Sequence, residues 1–305
     1  MKIGIIGSGG VGKACAMATL MRGCAREIVL VDKIQSLAKA VTTDMQYGAL
    51  LSPRTTITAG DYADLHDAHL VMVTAGVNEK TGGATDRKDP AGRLKLLKTN
   101  AEIFKDIIPQ IVKTAPQAVL LIVTDPPDPL ADVALQLAGH NKVLSAGTYL
   151  DSLRFRFHLA QHFKVNPADI HAYVIGEHGT SSVFLWSSVR IGGKTLAELL
   201  PKDQQKLQEQ IEHEVKYANI TIIEGNNASQ YGIGMVCARI AEIILRDEQA
   251  VIPIGSYQKD FGVTLSLPSA VGKNGIEQVF MPSMSEEERE AIERCAQVLK
   301  KALQF

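Results

Sequence analysis

The segment MKIGIIGSGGVGKACAMATLMRGCAREIVLVD (residues 1–32) places a glycine-rich turn between an apolar run and a helical stretch. KIGII (2–6) predicts a strand, and the alanine-rich residues up to about Arg22 predict a helix. Between them, GSGGVG (7–12) matches the pattern G-x-G-x-x-G. Such glycines allow a tight turn and a close approach of backbone amides to a pyrophosphate, which the helix N-terminus also favours. The segment therefore predicts a dinucleotide-binding unit.

A second apolar run, EIVLVD (27–32), ends in an acid. Asp32 is placed to bind the hydroxyl groups of an adenine ribose and to repel a 2′-phosphate, which favours NAD over NADP. The neighbouring Lys33 keeps an NADP-linked reductase open as an alternative. The candidate cofactor contacts in residues 1–32 are Gly7, Gly9, Val11, Gly12 and Asp32.

The rest of the first half alternates between helical and strand patterns. Helices are predicted at 36–48, 94–114 and about 128–139, a short turn or helix at 62–67, and strands at 55–59, 69–76, 118–125 and 142–147. This alternation indicates an α/β fold with a parallel, doubly wound sheet of the Rossmann type, which binds ligands at the carboxyl ends of its strands. Gly76, Val77, Val123 and Thr124 lie at such ends and are further candidate cofactor contacts.

The second half has a different character. SSVFLWSSVRIGG (181–193) alternates like a strand, and residues 203–225 and 229–246 resemble long helices. VIPIGSY (251–257) and VTLSLPSAVG (263–272) predict short antiparallel strands, and EEEREAIERCAQVLKKAL (286–303) predicts an amphipathic C-terminal helix. We therefore expect a nucleotide-binding domain at 1–145 and a mixed α+β substrate domain at 146–305.

Composition excludes several classes of function. The chain has 305 residues, a net charge of −1 and no basic run, which argues against nucleic acid as a partner. No apolar run is long enough to span a membrane, and the N-terminal strand leaves no room for a signal peptide. Four scattered cysteines show neither disulfide nor metal-ligand spacing. These features predict a cytoplasmic protein without a metal site.

The segment GTYLDSLRFRFHLAQHFKVNPADIHAYVIGEHGTSS (147–182) carries the candidate chemistry. Asp151 and Arg154 are spaced to share one face of a helix, and His178 lies between two glycines. A carboxylate held against an imidazole fixes its tautomer and suits it to acid–base catalysis, while an arginine fork can bind a substrate carboxylate. The alternatives are an ordinary helix ion pair and a loop histidine without a catalytic role.

The segment VNEKTGGATDRKDPAG (77–92) predicts a long loop of the kind that forms lids or binding loops. Arg87 and Arg93 lie near its C-terminal end. A lid arginine over a substrate could polarise a carbonyl and help to exclude water, whereas either residue alone could equally be a solvated charge.

In combination, these motifs resemble the lactate/malate dehydrogenase family over nearly the whole chain. The matching segments include GSGGVG with Asp32, RLKLLKTN (93–100), TYLDSLRFR (148–156), HAYVIGEHG (171–179), ASQYGIG (228–234) and LPSAVGKNGI (267–276). The resemblance implies hydride transfer between NADH and a 2-oxo acid, giving an L-2-hydroxy acid, in a homodimer or homotetramer.

The resemblance also implies a role for each site residue. His178 exchanges a proton with the substrate oxygen, and Asp151 orients it. Arg154 pairs with the substrate carboxylate, and Arg93 polarises the reacting carbonyl from the lid. Ser229 lines the pocket where the family usually has a threonine.

The first departure from the family pattern is in TDPPD (124–128), where Asp125 replaces the usual asparagine. An asparagine amide can donate a hydrogen bond to the substrate oxygen, whereas an ionised carboxylate only accepts. We expect Asp125 either to be protonated in the complex or to favour unusual substrates or low activity. The rival to an active enzyme is therefore a weakly active NAD-binding relative.

Two further features bear on substrate and regulation. The lid is longer than in most lactate dehydrogenases, and Arg87, six residues before Arg93, stands at an offset where the family uses arginine to bind the second carboxylate of oxaloacetate. Malate is thus the alternative to a lactate-like or bulkier substrate. Arg156 and His171 match positions that bind fructose 1,6-bisphosphate between subunits in allosteric relatives, with the alternative of an arginine and a histidine that bind no ligand.

Overall fold

The structure, a computed structural model, describes residues 1–52, 55–89, 91–200, 202 and 204–304. The strands are β1 Lys2–Ile6, β2 Glu27–Val31, β3 Thr56–Gly60, β4 Ala68–Val73, β5 Val119–Ile122, β6 Val143–Ser145, β7 Ile170–His171, β8 Val174–Ile175, β9 Val183–Phe184, β10 Arg190–Ile191, β11 Lys194–Thr195, β12 Ala250–Gln258, β13 Val263–Gly272 and β14 Gly275–Val279. The α-helices are α1 Gly10–Arg22, α2 Gln35–Ala49, α3 Leu97–Thr114, α4 Pro127–Ala138, α5 Tyr149–Phe163, α6 Leu196–Leu199, α7 Gln204–Lys216, α8 Ala218–Asn226, α9 Tyr231–Arg246 and α10 Glu286–Ala302. Short 3-10 helices occupy Tyr62–Leu65, Gly92–Leu96, Pro167–Asp169 and Trp186–Ser188.

The main sheet contains nine strands in the order β14-β13-β12-β6-β5-β4-β1-β2-β3. The six strands from β6 to β3 are parallel, and their order reverses between β1 and β4. Apolar side chains of these strands pack against α1 and α9 on one face and against α3 and α4 on the other. The predicted doubly wound Rossmann-type sheet is confirmed, and its order reversal creates the crevice where such sheets bind ligands.

The antiparallel strands predicted at 251–257 and 263–272 were assigned to a separate domain, yet as β12 and β13 they extend the same sheet. β12 pairs antiparallel with β6 through Gly255 and Ser145, and β13 and β14 follow it at the edge. The smaller sheets are β11-β10-β7 and β8-β9. The main sheet thus continues across residue 145, and the boundary at 145/146 stays a prediction.

A close helix contact positions the second half against the dinucleotide-binding unit. A Cβ added to Gly234 of α9 would lie 2.7 Å from the backbone carbon of Ala14 of α1. Only a glycine fits at that distance, so the backbones of α9 and α1 approach closely. This contact brings the start of α9, just after Ser229, to the glycine turn before α1.

Two element predictions in the second half were wrong in detail. The run 181–193 is not one strand but β9, a 3-10 helix and β10, because the chain turns to place Trp186 against Phe155 and Phe184, at ring-centroid distances of 4.5 and 6.2 Å. The helix predicted at 203–225 is interrupted at Tyr217, where φ is −107° and ψ is 9°. Its predicted first residue, 203, lies outside the described residues.

Within the described residues, no helix combines the length and apolar character needed to cross a membrane. The same part of the chain holds no cluster of three or more His, Cys, Asp or Glu side chains arranged for a metal ion.

Candidate active site

The glycine turn after β1 is shaped for a bound anion. Gly7 has a φ of 104°, and a Cβ added to Gly12 would lie 1.9 Å from the carbonyl oxygen of Gly7. At Gly9, in contrast, an added Cβ would meet no atom within 4 Å. Gly7 and Gly12 thus allow the tight turn, while Gly9 borders the open space into which a pyrophosphate fits.

Asp32 lies directly after β2, beside the same turn. Its carboxylate accepts hydrogen bonds from the backbone N–H groups of Ser8 at 2.5 Å and Ile34 at 2.8 Å. A carboxylate has about four acceptor sites, so these two bonds fix its orientation and leave capacity for ribose hydroxyls. The turn and Asp32 therefore fit the pyrophosphate and adenosine ribose of NAD.

Asn100 of α3 ties together the ends of β4 and β5. It is fully buried, its Oδ1 accepts from the N–H of Val77 at 2.7 Å, and its Nδ2 donates to the carbonyl oxygens of Val77 at 3.2 Å and Asp125 at 2.7 Å. The Thr124 hydroxyl is committed to the carbonyl oxygens of Val73 and Ala75. The predicted cofactor contacts Val11, Gly76, Val77, Val123 and Thr124 line one groove here.

His178 is held by hydrogen bonds to its ring nitrogen Nδ1 and to both polar groups of its backbone. Its Nδ1 pairs with Oδ2 of Asp151, whose Oδ1 accepts from Nη1 of Arg154 at 3.0 Å. Its backbone N–H donates to Oδ2 of Asp128 at 2.6 Å, and its carbonyl oxygen accepts from Nη1 of Arg93 at 3.2 Å. The imidazole is therefore oriented by Asp151, with Nε2 as the remaining ring nitrogen.

The electrostatics of this cluster keep Asp151 ionised. Burial alone would raise the pKa of Asp151, but His178 and Arg154 outweigh it and lower that pKa to about 2. Behind the loop, burial raises the pKa of Asp128 to about 7, although the bonds from His178 and the Ser145 hydroxyl oppose the rise. One carboxylate thus stays charged beside the imidazole, and the other supports the loop.

Arg93 follows the lid and points inward. Its side chain is 11% exposed, its Nε lies 3.2 Å from Oε1 of Glu79, and its Nη1 lies 3.7 Å from Oδ1 of Asp125. Oε1 of Glu79 also accepts from Nδ2 of Asn219 at 2.7 Å. Burial and the Asp125 charge raise the pKa of Glu79, while burial lowers the pKa of Arg93 less than the surrounding carboxylates, led by Asp125 and Glu79, raise it. Arg93 therefore remains a cation.

One pocket collects most of the predicted site. It is lined by Arg93, Asp125, Arg154, His178 and Ser229, together with Glu79 and Val11. These side chains come from both halves of the chain, and Val11, Val123, Asp125 and Ser229 also border the cofactor groove. The structure thus brings the candidate acid–base, carboxylate-binding and polarising groups together next to the dinucleotide site.

Three predicted residues lie elsewhere. Arg87 pairs with Glu224 of α8, with Nη–Oε distances of 2.7 and 3.1 Å, and does not line the pocket. Arg156 donates from Nε to the carbonyl oxygen of Ala172 at 3.1 Å and stacks over Tyr173, while the nearby His171 is exposed in β7. The predicted second-carboxylate site at Arg87 therefore has no support from its position, and the bisphosphate site stays a prediction.

Sequence reasoning missed four residues that hold the site together: Glu79, Asn100, Asp128 and Asn219. Counting backward from Arg93 selected Arg87, whereas Glu79 lies at the other end of the lid, six residues after the last residue of β4. Asp128 had a signal as an acid in the first turn of α4. Asn100 and Asn219 carry no sequence signal apart from their positions within α3 and α8.

Comparison with known proteins gives family matches over both halves of the chain. Residues 1–145 match the model of the lactate/malate dehydrogenase NAD binding domain, and residues 148–304 match that of the lactate/malate dehydrogenase alpha/beta C-terminal domain. An L-lactate dehydrogenase of Deinococcus radiodurans is 40% identical over 98% of this chain and 97% of its own length. One from Thermus aquaticus is 42% identical over 99% of this chain and 98% of its own length.

A solved structure shares the whole architecture. It is a lactate dehydrogenase enzyme from a Medee basin deep-sea metagenome library, with a TM-score of 0.90 and 33% identity over 99% of this chain and 97% of that chain. Taken with the glycine turn and Asp32, these matches identify NAD as the cofactor. The chain belongs to the lactate/malate dehydrogenase family and is an NAD-dependent oxidoreductase that acts on 2-hydroxy acids.

Proposed function

We propose that this chain interconverts a 2-oxo acid and an L-2-hydroxy acid in the manner of a lactate dehydrogenase, with His178 as the acid–base group. The observation that supports this most is the convergence of the Asp151–His178 pair, Arg154 and Arg93 on one pocket beside the cofactor groove. NAD, when bound, supplies or accepts the hydride at C2 of the substrate.

His178 moves the proton. Because ionised Asp151 holds Nδ1, the proton exchanged with the substrate oxygen is carried on Nε2. In the reducing direction His178 donates this proton as the carbonyl becomes a hydroxyl, and in the oxidising direction it takes the proton back. Asp151 stabilises the protonated imidazole throughout.

The two arginines orient and polarise the substrate. Arg154 uses Nη1 to hold Asp151 at 3.0 Å, and the rest of its planar fork remains for the substrate carboxylate. Arg93, held over the pocket by Glu79 and by the His178 carbonyl, is placed to stabilise negative charge that develops on the reacting oxygen. Ser229 closes the pocket next to the groove.

The test is NADH oxidation at neutral pH with pyruvate, oxaloacetate, 2-oxoisocaproate and phenylpyruvate. We expect turnover with at least one of them, and His178→Asn should lower kcat on the order of 1000-fold while NADH still binds. If His178→Asn retains more than about a tenth of the wild-type kcat, general acid–base catalysis by His178 is wrong.

Two alternatives have specific consequences in the same assay. A malate dehydrogenase would prefer oxaloacetate, yet Arg87, the residue that favoured it, pairs with Glu224 outside the pocket. A weakly active NAD-binding relative, suggested by Asp125, would bind NADH without turnover. The position of Arg87 thus gives the first alternative no support, and the second rests on Asp125, whose Oδ1 lies 3.7 Å from Nη1 of Arg93.

Assembly and regulation are also proposals. We propose a homodimer or homotetramer, to be measured by analytical ultracentrifugation. Fructose 1,6-bisphosphate at Arg156 and His171 should then lower the substrate KM or change the oligomer size, and an effect on neither would exclude that site.

A further inference from the structure

The substrate pocket carries more negative charge than a simple 2-oxo acid requires. Its charged lining consists of Arg93 and Arg154 opposite Glu79 and Asp125, with Asp151 directly behind His178. With His178 protonated for reduction, three cations meet three carboxylates. A substrate carboxylate bound at Arg154 then leaves one excess negative charge in a pocket whose walls are mostly buried.

The excess is located at Glu79 and Asp125. Both carboxylates share the single cation Arg93, at 3.2 and 3.7 Å, although one carboxylate would be enough to neutralise it. Within the described part of the chain, no hydrogen bond or ion pair involves Oε2 of Glu79 or Oδ2 of Asp125. Two carboxylate oxygens therefore remain available to a ligand.

Burial makes this charge costly. The side chain of Glu79 is 10% exposed, Asn219 donates to its Oε1, and Arg93 is the one cation at ion-pair distance from it among the described residues. A buried carboxylate without a full partner is strongly destabilising, and adding a cation relieves that penalty. Burial and the charge of Asp125 raise the pKa of Glu79, so the ionised form of this carboxyl is disfavoured unless a further cation is present.

We propose that the preferred substrate is a 2-oxo acid whose side chain carries an ammonium or guanidinium group, which is bound by Glu79 and Asp125. This inference rests on the proposed function, because Arg154 must take the substrate carboxylate. A cationic side chain cancels the excess charge, a neutral side chain leaves it, and a second carboxylate increases it. The same two residues thus select for one charge class and against another.

The experiment compares three 2-oxo acids of similar length: 2-oxo-5-guanidinopentanoate, neutral 2-oxoheptanoate and dianionic 2-oxoadipate. Specificity is measured as kcat/KM with NADH, whose nicotinamide is uncharged, and binding alone is checked on the complex with NAD⁺, in which the 2-oxo acid cannot accept a hydride. We expect kcat/KM for the cationic acid to exceed that for the neutral acid at least about tenfold, and the dianion to give the lowest value.

The key variant is Glu79→Gln, which keeps the side-chain shape and an acceptor for Asn219. It should lower the cationic-to-neutral preference about tenfold. The matched control is Glu224→Gln, the same substitution at an exposed glutamate that pairs with Arg87 outside the pocket, and it should leave the preference unchanged. A wild-type preference for the neutral acid, or a preference that Glu79→Gln does not alter, would overturn the inference.

The two proposals fail in different ways. Turnover of the neutral acid with no gain from the cation overturns the charge preference and leaves the proposed function standing. Tight binding of the cationic acid without hydride transfer does the reverse. If none of the three acids binds or reacts, the charge preference is overturned, and turnover of pyruvate, oxaloacetate, 2-oxoisocaproate or phenylpyruvate decides the proposed function separately.

Discussion

Asp125 differs from an asparagine only in having a carboxylate oxygen in place of the amide NH2 group, yet this removes a hydrogen-bond donor that could reach a substrate carbonyl oxygen. A carboxylate accepts hydrogen bonds only, whereas an amide can donate one to the oxygen that becomes negative during reduction. Its Oδ1 instead lies 3.7 Å from Nη1 of Arg93, the group that we assign to polarise the carbonyl. Asp125 therefore competes with the substrate for the same cation.

We predict that Asp125→Asn raises kcat/KM for pyruvate about tenfold, because the amide adds a donor and frees Arg93. Steady-state NADH oxidation with pyruvate gives the comparison, and Glu224→Gln serves as an unaffected variant. Unchanged rates and an unchanged substrate preference in Asp125→Asn would show that this carboxylate has no influence on the reaction.

Sequence alone predicted that Asp151 and Arg154 face the same way, but it did not predict which lid side chain points into the pocket. Asp151 and Arg154 share a helix face, and their i, i+3 spacing predicts a common direction that the structure shows. Loops have no such periodicity, so the offset from Arg93 could not tell that Arg87 turns outward to Glu224 while Glu79 turns inward. Position in a helix is encoded in spacing, whereas position in a loop depends on its whole path.

Among the elements, α4 connects the His178 loop to the antiparallel part of the sheet through two buried carboxylates. Asp128 accepts from the backbone N–H of His178, and Asp132 accepts from the N–H and hydroxyl of Thr264 in β13. Burial raises the pKa of Asp128 to about 7 and that of Asp132 to about 6, in spite of these bonds. The folded chain therefore retains protons that the unfolded chain releases.

The protons retained in the folded state determine the direction in which the free energy of unfolding changes with pH. Because both carboxyl groups titrate higher in the folded state, the free energy of unfolding should fall as pH rises from about 4 to about 7. Asp128→Asn should remove its share of that fall, at most about 4 kcal/mol for a shift of about three pKa units. Urea unfolding at pH 4.5 and pH 8 measures the difference.

Asp132→Asn is the matched control on the same helix. It should reduce the pH dependence in the same direction but leave kcat intact, since Asp132 contacts Thr264 and not the His178 loop. An equally steep loss of stability in Asp128→Asn and in the wild type would contradict the assignment to Asp128.

Strands could be predicted from the sequence where a single hydrophobic pattern determined the local structure. The parallel strands β1, β2, β4, β5 and β6 are mostly buried, so their continuous apolar runs identified them, whereas the edge strand β3 was identified by its β-branched residues. The run 181–193 alternates as a strand should, but the packing of half-buried Trp186 against Phe155 of α5, with its Nε1 donating to Glu212 of α7, outweighs strand propensity. A tertiary contact of this kind leaves no local trace in the sequence.

At the scale of the whole molecule, the two halves share one sheet, and α1 of the first half packs closely against α9 of the second. β6 and β12 are neighbours in the nine-stranded sheet, and Gly234 packs against Ala14. A break between the halves would expose the buried faces of these strands and helices. The fold class could be predicted from the first half, but the joining of β12 to β6 could not, because antiparallel strands far apart in sequence carry no signal of their partner.

We predict that the chain unfolds in a single transition. Trp186 is the only tryptophan, so its fluorescence reports on the second half, while far-UV circular dichroism reports on the whole chain. Urea curves from the two probes should coincide, and NAD⁺ should shift both midpoints upward by the same amount. Separate midpoints would mean that the shared sheet does not couple the halves.

The site is assembled across these halves with a division of labour. Glu79, Arg93 and Asp125, to which we assign substrate charge and carbonyl polarisation, come from the region matched by the NAD-binding family model. Asp151, Arg154 and His178, to which we assign proton transfer and carboxylate binding, come from the other region. If the two regions were exchanged between relatives, we expect the chimera to take its preference for substrate charge from the parent of its N-terminal region. Its proton-transfer group would come from the parent of its C-terminal region.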